Sequence, residues 1–305
     1  MERLDALAAR LDALFGVDAL EVDPAFSRFV PRVYDAAGVD WRRRFDPGFV
    51  RRFNGLVLRG APEVGTVFCA AFPSAEVLDA FLRAAEPGDL LFCHHPIDLR
   101  SGDPRGEPGA GFVPIAPGTL DALADRELSF YACHAPLDTA RGGLGTTVAM
   151  MEALGAAHEA DFFPYGNGFA GVVCTAPARS TDEWAELAGN VFGVPYVDRA
   201  GPCHASVDRI AIIAGGCNSV AAFREAEALG ARAYITGEIR SYNGGEYGAT
   251  NRAEVAEYLE AASMSLLGVS HVASEQRVME RQIVPWLRRN TAAEAHLIAE
   301  PVAWR

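Results

Sequence analysis

The chain lacks any CxxC pair: across 305 residues its six cysteines stand singly at positions 69, 93, 133, 174, 203 and 217. With no secretory signal beside them, single cysteines read as reduced, mostly buried thiols in a cytoplasmic protein. The opening "MERLDALAARLDALFG" is not such a signal, because Glu2 and Asp5 interrupt it and no apolar block follows. Long hydrophobic runs are missing too. None approaches the roughly 18 residues that span a bilayer, which argues against a membrane protein. Basic residues are scarce: 27 Lys and Arg face 40 Asp and Glu, a formal net charge of −13. That field repels phosphate backbones and anionic lipid, and so argues against a nucleic-acid polymer or a membrane surface as partner. A small anionic substrate can still bind where a metal supplies positive charge. No low-complexity segment is present.

Half the residues are hydrophobic, enough to bury the cores of one large or two ordinary domains. Leu4, Leu7, Leu11 and Leu14 mark one face of an amphipathic helix closed by Gly16. Further on, apolar runs alternate with helical patterns. "GTVFCAAF" (65–72), "DLLFCHH" (89–95) and "SFYACH" (129–134) read as strands, with helices over 75–88 and 120–128 between them. The order βαβαβ predicts a mainly parallel sheet with helices on its faces. "VDRIAIIAGG", "NSVAAFREAEALG" and "ARAYITGE" repeat the scheme as strand, helix and strand. "EALGA" occurs at 152–156 and 227–231, each time placing glycine where a helix C-cap needs a left-handed residue. Loops rich in Gly, Pro and Asp are expected at 101–118 and 242–252.

The stretch "DLLFCHHPIDLR" puts two histidines at a strand end and stops at Pro96. Neighbouring side chains on a strand point to opposite faces, so His94 and His95 converge only if the strand ends there. Proline favours that ending, and the C-terminal ends of parallel strands are where ligands bind. The pair is thus a candidate set of metal ligands; two ordinary loop histidines are the alternative. The next strand ends in "CHAPLDTARGG", where Pro136 predicts an extended turn between His134 and Asp138. Asp138 is the hard oxygen ligand a divalent ion takes beside imidazoles, or else a turn aspartate or helix cap. In "GVSHVASEQRV", His271 and Glu275 share one face if a helix begins near His271; simple capping is the competing reading. His158, His204 and His296 read as solvated or satisfied. Cys93 and Cys133 point into the core as small hydrophobes, with a Cys/His nucleophile pair the less favoured reading.

Taken together, these segments resemble the Nif-three-like family, the GTP cyclohydrolase 1 type 2-like proteins. "FNGLVLRG" (53–60) is similar to the family's Asn-Gly-Leu segment, and "DLLFCHHP" to its His-His-Pro segment. "CHAPLDTARGG", "RIAIIAGGCNS", "ITGE" and "SHVASE" resemble its His-x-x-Leu-Asp, Gly-Gly, Thr-Gly-acidic and His-x-x-Ser-Glu pieces, over about residues 50 to 285. The resemblance implies two facing α/β domains with a di-metal cleft between them. It places the first at 1–133 plus 285–305 and the second at 134–284. It also implies a ring-like homohexamer and two divalent ions bound by His94, His95, Asp138, His271 and Glu275. Zinc, iron, manganese, nickel and cobalt all suit such ligands. Two departures are visible: Ala71-Phe72 stand where relatives carry an aspartate, and Asn243 where they commonly carry a histidine.

Two ions sharing carboxylates would acidify water and clamp a phosphate or carbonyl oxygen. The implied activity is a metal-dependent hydrolase acting on a nucleotide or related small heterocycle, with His134 for proton transfer or substrate contact, or as a partner to a ligand. Alternatives are a metal-binding interaction or regulatory protein without turnover, and a metal-free nucleotide binder. Backbone N–H groups at "GGLG" and "GGCNS" would hold an anion, or their glycines simply permit tight turns.

Overall fold

The computed structural model describes residues 1–140, 143–300 and 304. They form two compact units. The first comprises Met1–Leu99, Phe112–Ala140 and Met279–Glu300; the second comprises Arg100–Gly111, 143–278 and Trp304.

In the first unit a five-stranded sheet runs in the order Glu294–Leu297, Thr66–Ala70, Leu90–Cys93, Ser129–Ala132, Gly55–Leu58. The first three pairings are parallel and the last is antiparallel. Its central strands are apolar at nearly every position because both faces are covered. Leu91, Cys93, Phe130 and Ala132 face a core that takes Phe26, Val30 and Tyr34 from the helix Phe26–Ala36. The same core takes Val77, Leu78 and Phe81 from Ala75–Ala84, and Leu120 and Leu123 from Pro117–Asp125. On the opposite face, the helix Leu4–Phe15 brings Phe15 against Phe92, and Tyr131 donates to Asp12 at 2.7 Å. Gly16 ends that helix at φ 63°, as its position predicts.

Register matters most for function. Ala70 pairs with Cys93, and Cys93 with Ala132, so three parallel strands finish level. His94-His95 and Cys133-His134 therefore leave the sheet together at the C-terminal ends of neighbouring strands. His95 N–H donates to Ala71 O at 3.0 Å and Cys133 N–H to Cys93 O at 3.1 Å as the chains depart.

The second unit holds a six-stranded sheet in the order Asp198–Ala200, Ser265–Gly268, Ala233–Thr236, Val207–Ile213, Gly168–Arg179, Ala157–Tyr165. Its middle three strands are parallel and the outer pairings antiparallel. This sheet is mixed rather than mainly parallel. A tight hairpin joins the last two strands, with Gly166 at φ 54° in the turn. One face packs Met150, Trp184 and Phe192 against Ile210, Ile212 and Leu267. The other packs Phe223, Val255 and Tyr258 against Ala211, Ile213 and Tyr234. Both "EALGA" glycines take the left-handed conformation, Gly155 at φ 67° and Gly230 at φ 84°.

The loop expected over 242–252 is mostly helix, Gly245–Leu259. Glycine here serves packing as well as turns: a Cβ on Gly248 would fall 2.0 Å from Asn243 O. Burial of Val255 and Tyr258 holds the helix in place. The segment 101–111 is held in the same unit. Gly109 N–H donates to Tyr242 O at 2.9 Å, and Gly244 N–H donates back to Gly109 O at 2.8 Å.

Candidate metal-binding residues

In the first unit the strand Leu90–Cys93 ends before the two histidines, as their convergence requires. Both imidazoles are buried. His94 Nδ1–H donates to Cys133 O at 2.9 Å, which turns Nε2 toward Asp138 Oδ1 at 3.3 Å. The His95 ring lies 4.1 Å from Phe72 and 5.2 Å from Phe26, centroid to centroid. The expected extended turn at Pro136 is instead a short helix, Ala135–Thr139. Proline is tolerated there because a first-turn residue has no intrahelical N–H bond to lose. Four residues along a helical turn bring side chains onto one face, so His134 Nε2 meets Asp138 Oδ2 at 3.5 Å. The ligand atoms of His94, His95 and His134 all lie within 4.8 Å of one another.

Sequence reasoning missed Asp23. This fully buried carboxylate lies 111 residues before His134, and its Oδ2 accepts from His134 Nδ1–H at 3.0 Å. The same oxygen accepts from Asn54 Nδ2 at 3.1 Å and from Ala135 N–H at 3.1 Å; Oδ1 accepts from Ala25 and Phe26 N–H. Asn54 completes the ring of contacts, its Oδ1 accepting from His134 N–H at 2.6 Å. Burial opposes ionisation of Asp23, but His134 beside it and these hydrogen bonds outweigh that cost and hold its carboxyl well below the usual range. The one sequence signal was Asp23-Pro24, which reads as an ordinary turn.

In the second unit His271 opens the helix His271–Val278, and His271 Nε2 lies 3.0 Å from Glu275 Oε1 one turn later. Behind the ring, Glu238 Oε1 accepts from His271 Nδ1–H at 3.1 Å and from Ser101 Oγ at 2.5 Å. Burial alone would lower the pKa of His271; the carboxylates of Glu275 and Glu238 override it and push it up to about 10. A divalent cation held by His271 Nε2 and Glu275 would take the place of the proton on that side of the ring, while Nδ1–H stays with Glu238.

The "GGCNS" turn is filled by this pair. A Cβ on Gly215, at φ 74°, would sit 2.3 Å from Glu275 Oε1 and 3.0 Å from His271 Nε2, and one on Gly216 would sit 3.0 Å from His271 Cε1. Close approach of the two side chains thus accounts for both glycines. Of "GGLG", Gly142 lies outside the described residues. Gly215→Ala should displace Glu275 and destabilise the fold by about 1–2 kcal/mol for the left-handed backbone alone. Thermal melting checks the stability, and zinc affinity checks the displacement.

Cys93 and Cys133 are fully buried, and burial pushes both thiols well above their ordinary range. Neither is a nucleophile in that setting. His158 and His296 are exposed, each beside a neighbouring carboxylate, and His204 lies against Ser263 O.

Two α/β units with buried groups of histidine and acidic residues define a mixed α/β protein of the kind that can hold a metal ion. The chain belongs to the Duf34/NIF3 (NGG1p interacting factor 3) family, whose model matches residues 52–300. Among curated proteins none matches it. Among solved structures it is similar to ybgI, a structural-genomics protein of unknown function. The TM-score is 0.68 at 19% identity, with 99% of this chain and 100% of that one covered. Protein SA1388 of Staphylococcus aureus gives 0.65 at 15% identity, covering 98% and 96%. TTHA1606 from Thermus thermophilus gives 0.62 at 16%, covering 98% of each. Identities this low establish the shared fold. Among the described residues, no helix is long and apolar enough to cross a membrane.

Proposed function

We propose that the chain is a metal-dependent hydrolase of the GTP cyclohydrolase-like kind, acting in the cytoplasm on a nucleotide or related small heterocycle. Two divalent ions are held by His94, His95, Asp138, His271 and Glu275. The observation that carries this reading is the gathering of buried imidazoles at one strand edge with Asp138 beside them, matched by the buried His271–Glu275 pair. Titratable groups buried together are costly unless something compensates their desolvation, and cation binding does so. Mixed nitrogen and oxygen donors fit zinc, iron, manganese, nickel or cobalt. Such ions would supply Lewis acidity and acidify water, which is the chemistry of hydrolysis.

The chain's own residues do the rest. His94 is oriented by Cys133 O, and His271 by Glu238. His134 reaches Asp138 through Nε2 and is the group we assign to proton transfer or substrate contact. A ring-like homohexamer is the assembly proposed with this reading, and a solution mass measurement checks it. The functional test is incubation of zinc- or manganese-loaded protein with GTP and a panel of phosphate esters. Turnover is expected, falling at least about 100-fold in Asp138→Ala. Metal-loaded protein that turns over none of them would overturn the hydrolase assignment in favour of a binding role.

A further inference from the structure

Three histidines here share one construction. In His94, His134 and His271 alike, Nδ1 faces an oxygen fixed by the fold: Cys133 O at 2.9 Å, Asp23 Oδ2 at 3.0 Å and Glu238 Oε1 at 3.1 Å. In each, Nε2 then meets a carboxylate: Asp138 at 3.3 Å, Asp138 at 3.5 Å and Glu275 at 3.0 Å. His134 repeats the plan of His271 closely. Both stand at the start of a short helix with an acid four residues on, and both have a distant buried carboxylate behind the ring.

We infer that Asp23 is a positioning residue: it holds the proton of His134 on Nδ1 and so commits that histidine to act through Nε2. The inference rests on the role proposed for His134 above. An ionised carboxylate can only accept, so the imidazole nitrogen facing Asp23 must carry hydrogen. Asp23 is not a general-purpose acceptor that any polar side chain could replace. Oδ2 takes three donors at once, from His134 Nδ1, Asn54 Nδ2 and Ala135 N–H. Oδ1 takes Ala25 and Phe26 N–H. Both carboxylate oxygens are thus held by donors. Asn54 supports the arrangement by pinning the His134 backbone at 2.6 Å, so the ring cannot swing away. Phe26 packs edge-on at 4.4 Å between ring centroids and closes another side.

Asp23→Asn is the informative change because it keeps the shape and alters one atom. Asn Oδ1 would stay with Ala25 and Phe26 N–H, which leaves an NH2 facing the imidazole. His134 Nδ1 can then only accept, so the proton must move to Nε2. The experiment is nitrogen-15 NMR of the zinc-loaded protein, with the imidazole of His134 assigned by its loss in His134→Gln. In the wild type we expect a protonated Nδ1; in Asp23→Asn, a bare Nδ1 and a protonated Nε2. His94, whose Nδ1 donates to a backbone carbonyl, is the internal control and should not change. Zinc content should be retained in the variant. A bare Nδ1 in the wild type overturns the inference even if the variant fails to fold, and so does an unchanged tautomer in a folded variant. Neither result depends on turnover, so failure of the hydrolase assignment is read separately.

Discussion

Zinc titrated into a His94→Ala/His95→Ala variant is expected to bind far more weakly than to the wild type. The loss should exceed the roughly 10–100-fold that follows removal of an outer partner of a ligand, since two donors go at once. Elemental analysis of the purified protein and a competitive chelator titration read it. The alanine variant also removes packing, because the His95 ring contacts Phe72 at 4.1 Å and Phe26 at 5.2 Å. A large-to-small change in such a setting costs stability in its own right. His94→Gln/His95→Gln separates the two effects: it keeps most of the volume but replaces both imidazoles with weakly ligating amides. Equal zinc loss in both variants ties the effect to the nitrogen donors. Undiminished zinc in a folded glutamine variant would remove these residues from the ligand set.

Sequence legibility followed the range over which each feature is specified. The parallel strands were legible because each is a largely apolar run, 65–72, 89–95 and 129–134, followed by a turn or helix pattern. The strand end at His94 was legible because Pro96 punctuates it. The His271–Glu275 face was legible because helical spacing is a local rule. At His134–Asp138 the proline points to an extended turn, because it commonly breaks helices. At a first-turn position it does not, and the same i, i+4 rule that served His271 applies here too. The hairpin of the second sheet had a local signal, Gly166-Asn167 between two polar–apolar strands, overshadowed by the parallel pattern around it. Asp23 was out of reach for a different reason, and Glu238 was marked only as the acidic residue of the family-like "ITGE", with no role attached. Their roles exist only because the fold brings them to histidines 111 and 33 residues away. Nothing in the local sequence at Asp23 distinguishes a carboxylate that orients an imidazole from one that caps a turn.

Asp23→Asn is expected to lower stability at neutral pH by about 1–3 kcal/mol, the range for leaving buried hydrogen-bonding groups without their charged acceptor. The physical reason is the number of buried donors that converge on this carboxylate. The pH dependence has a definite sign. The folded-state pKa of Asp23 is depressed below its ordinary 3.8, so the group binds a proton less readily in the folded protein than in the unfolded chain. Its contribution is therefore complete above the unfolded pKa, near pH 4, and is lost as pH falls through that value toward the lower folded one. Urea unfolding of wild type and Asp23→Asn at pH 7, 5, 4 and 3 reads this directly. The gap between the two proteins should narrow progressively below about pH 4. The asparagine cannot titrate, so the narrowing belongs to the wild type. A gap that stays constant down to pH 3, or one that widens on acidification, would mean that Asp23 is not held ionised by His134 and the surrounding donors. The mechanism proposed for its effect on the imidazole would then lose its charge.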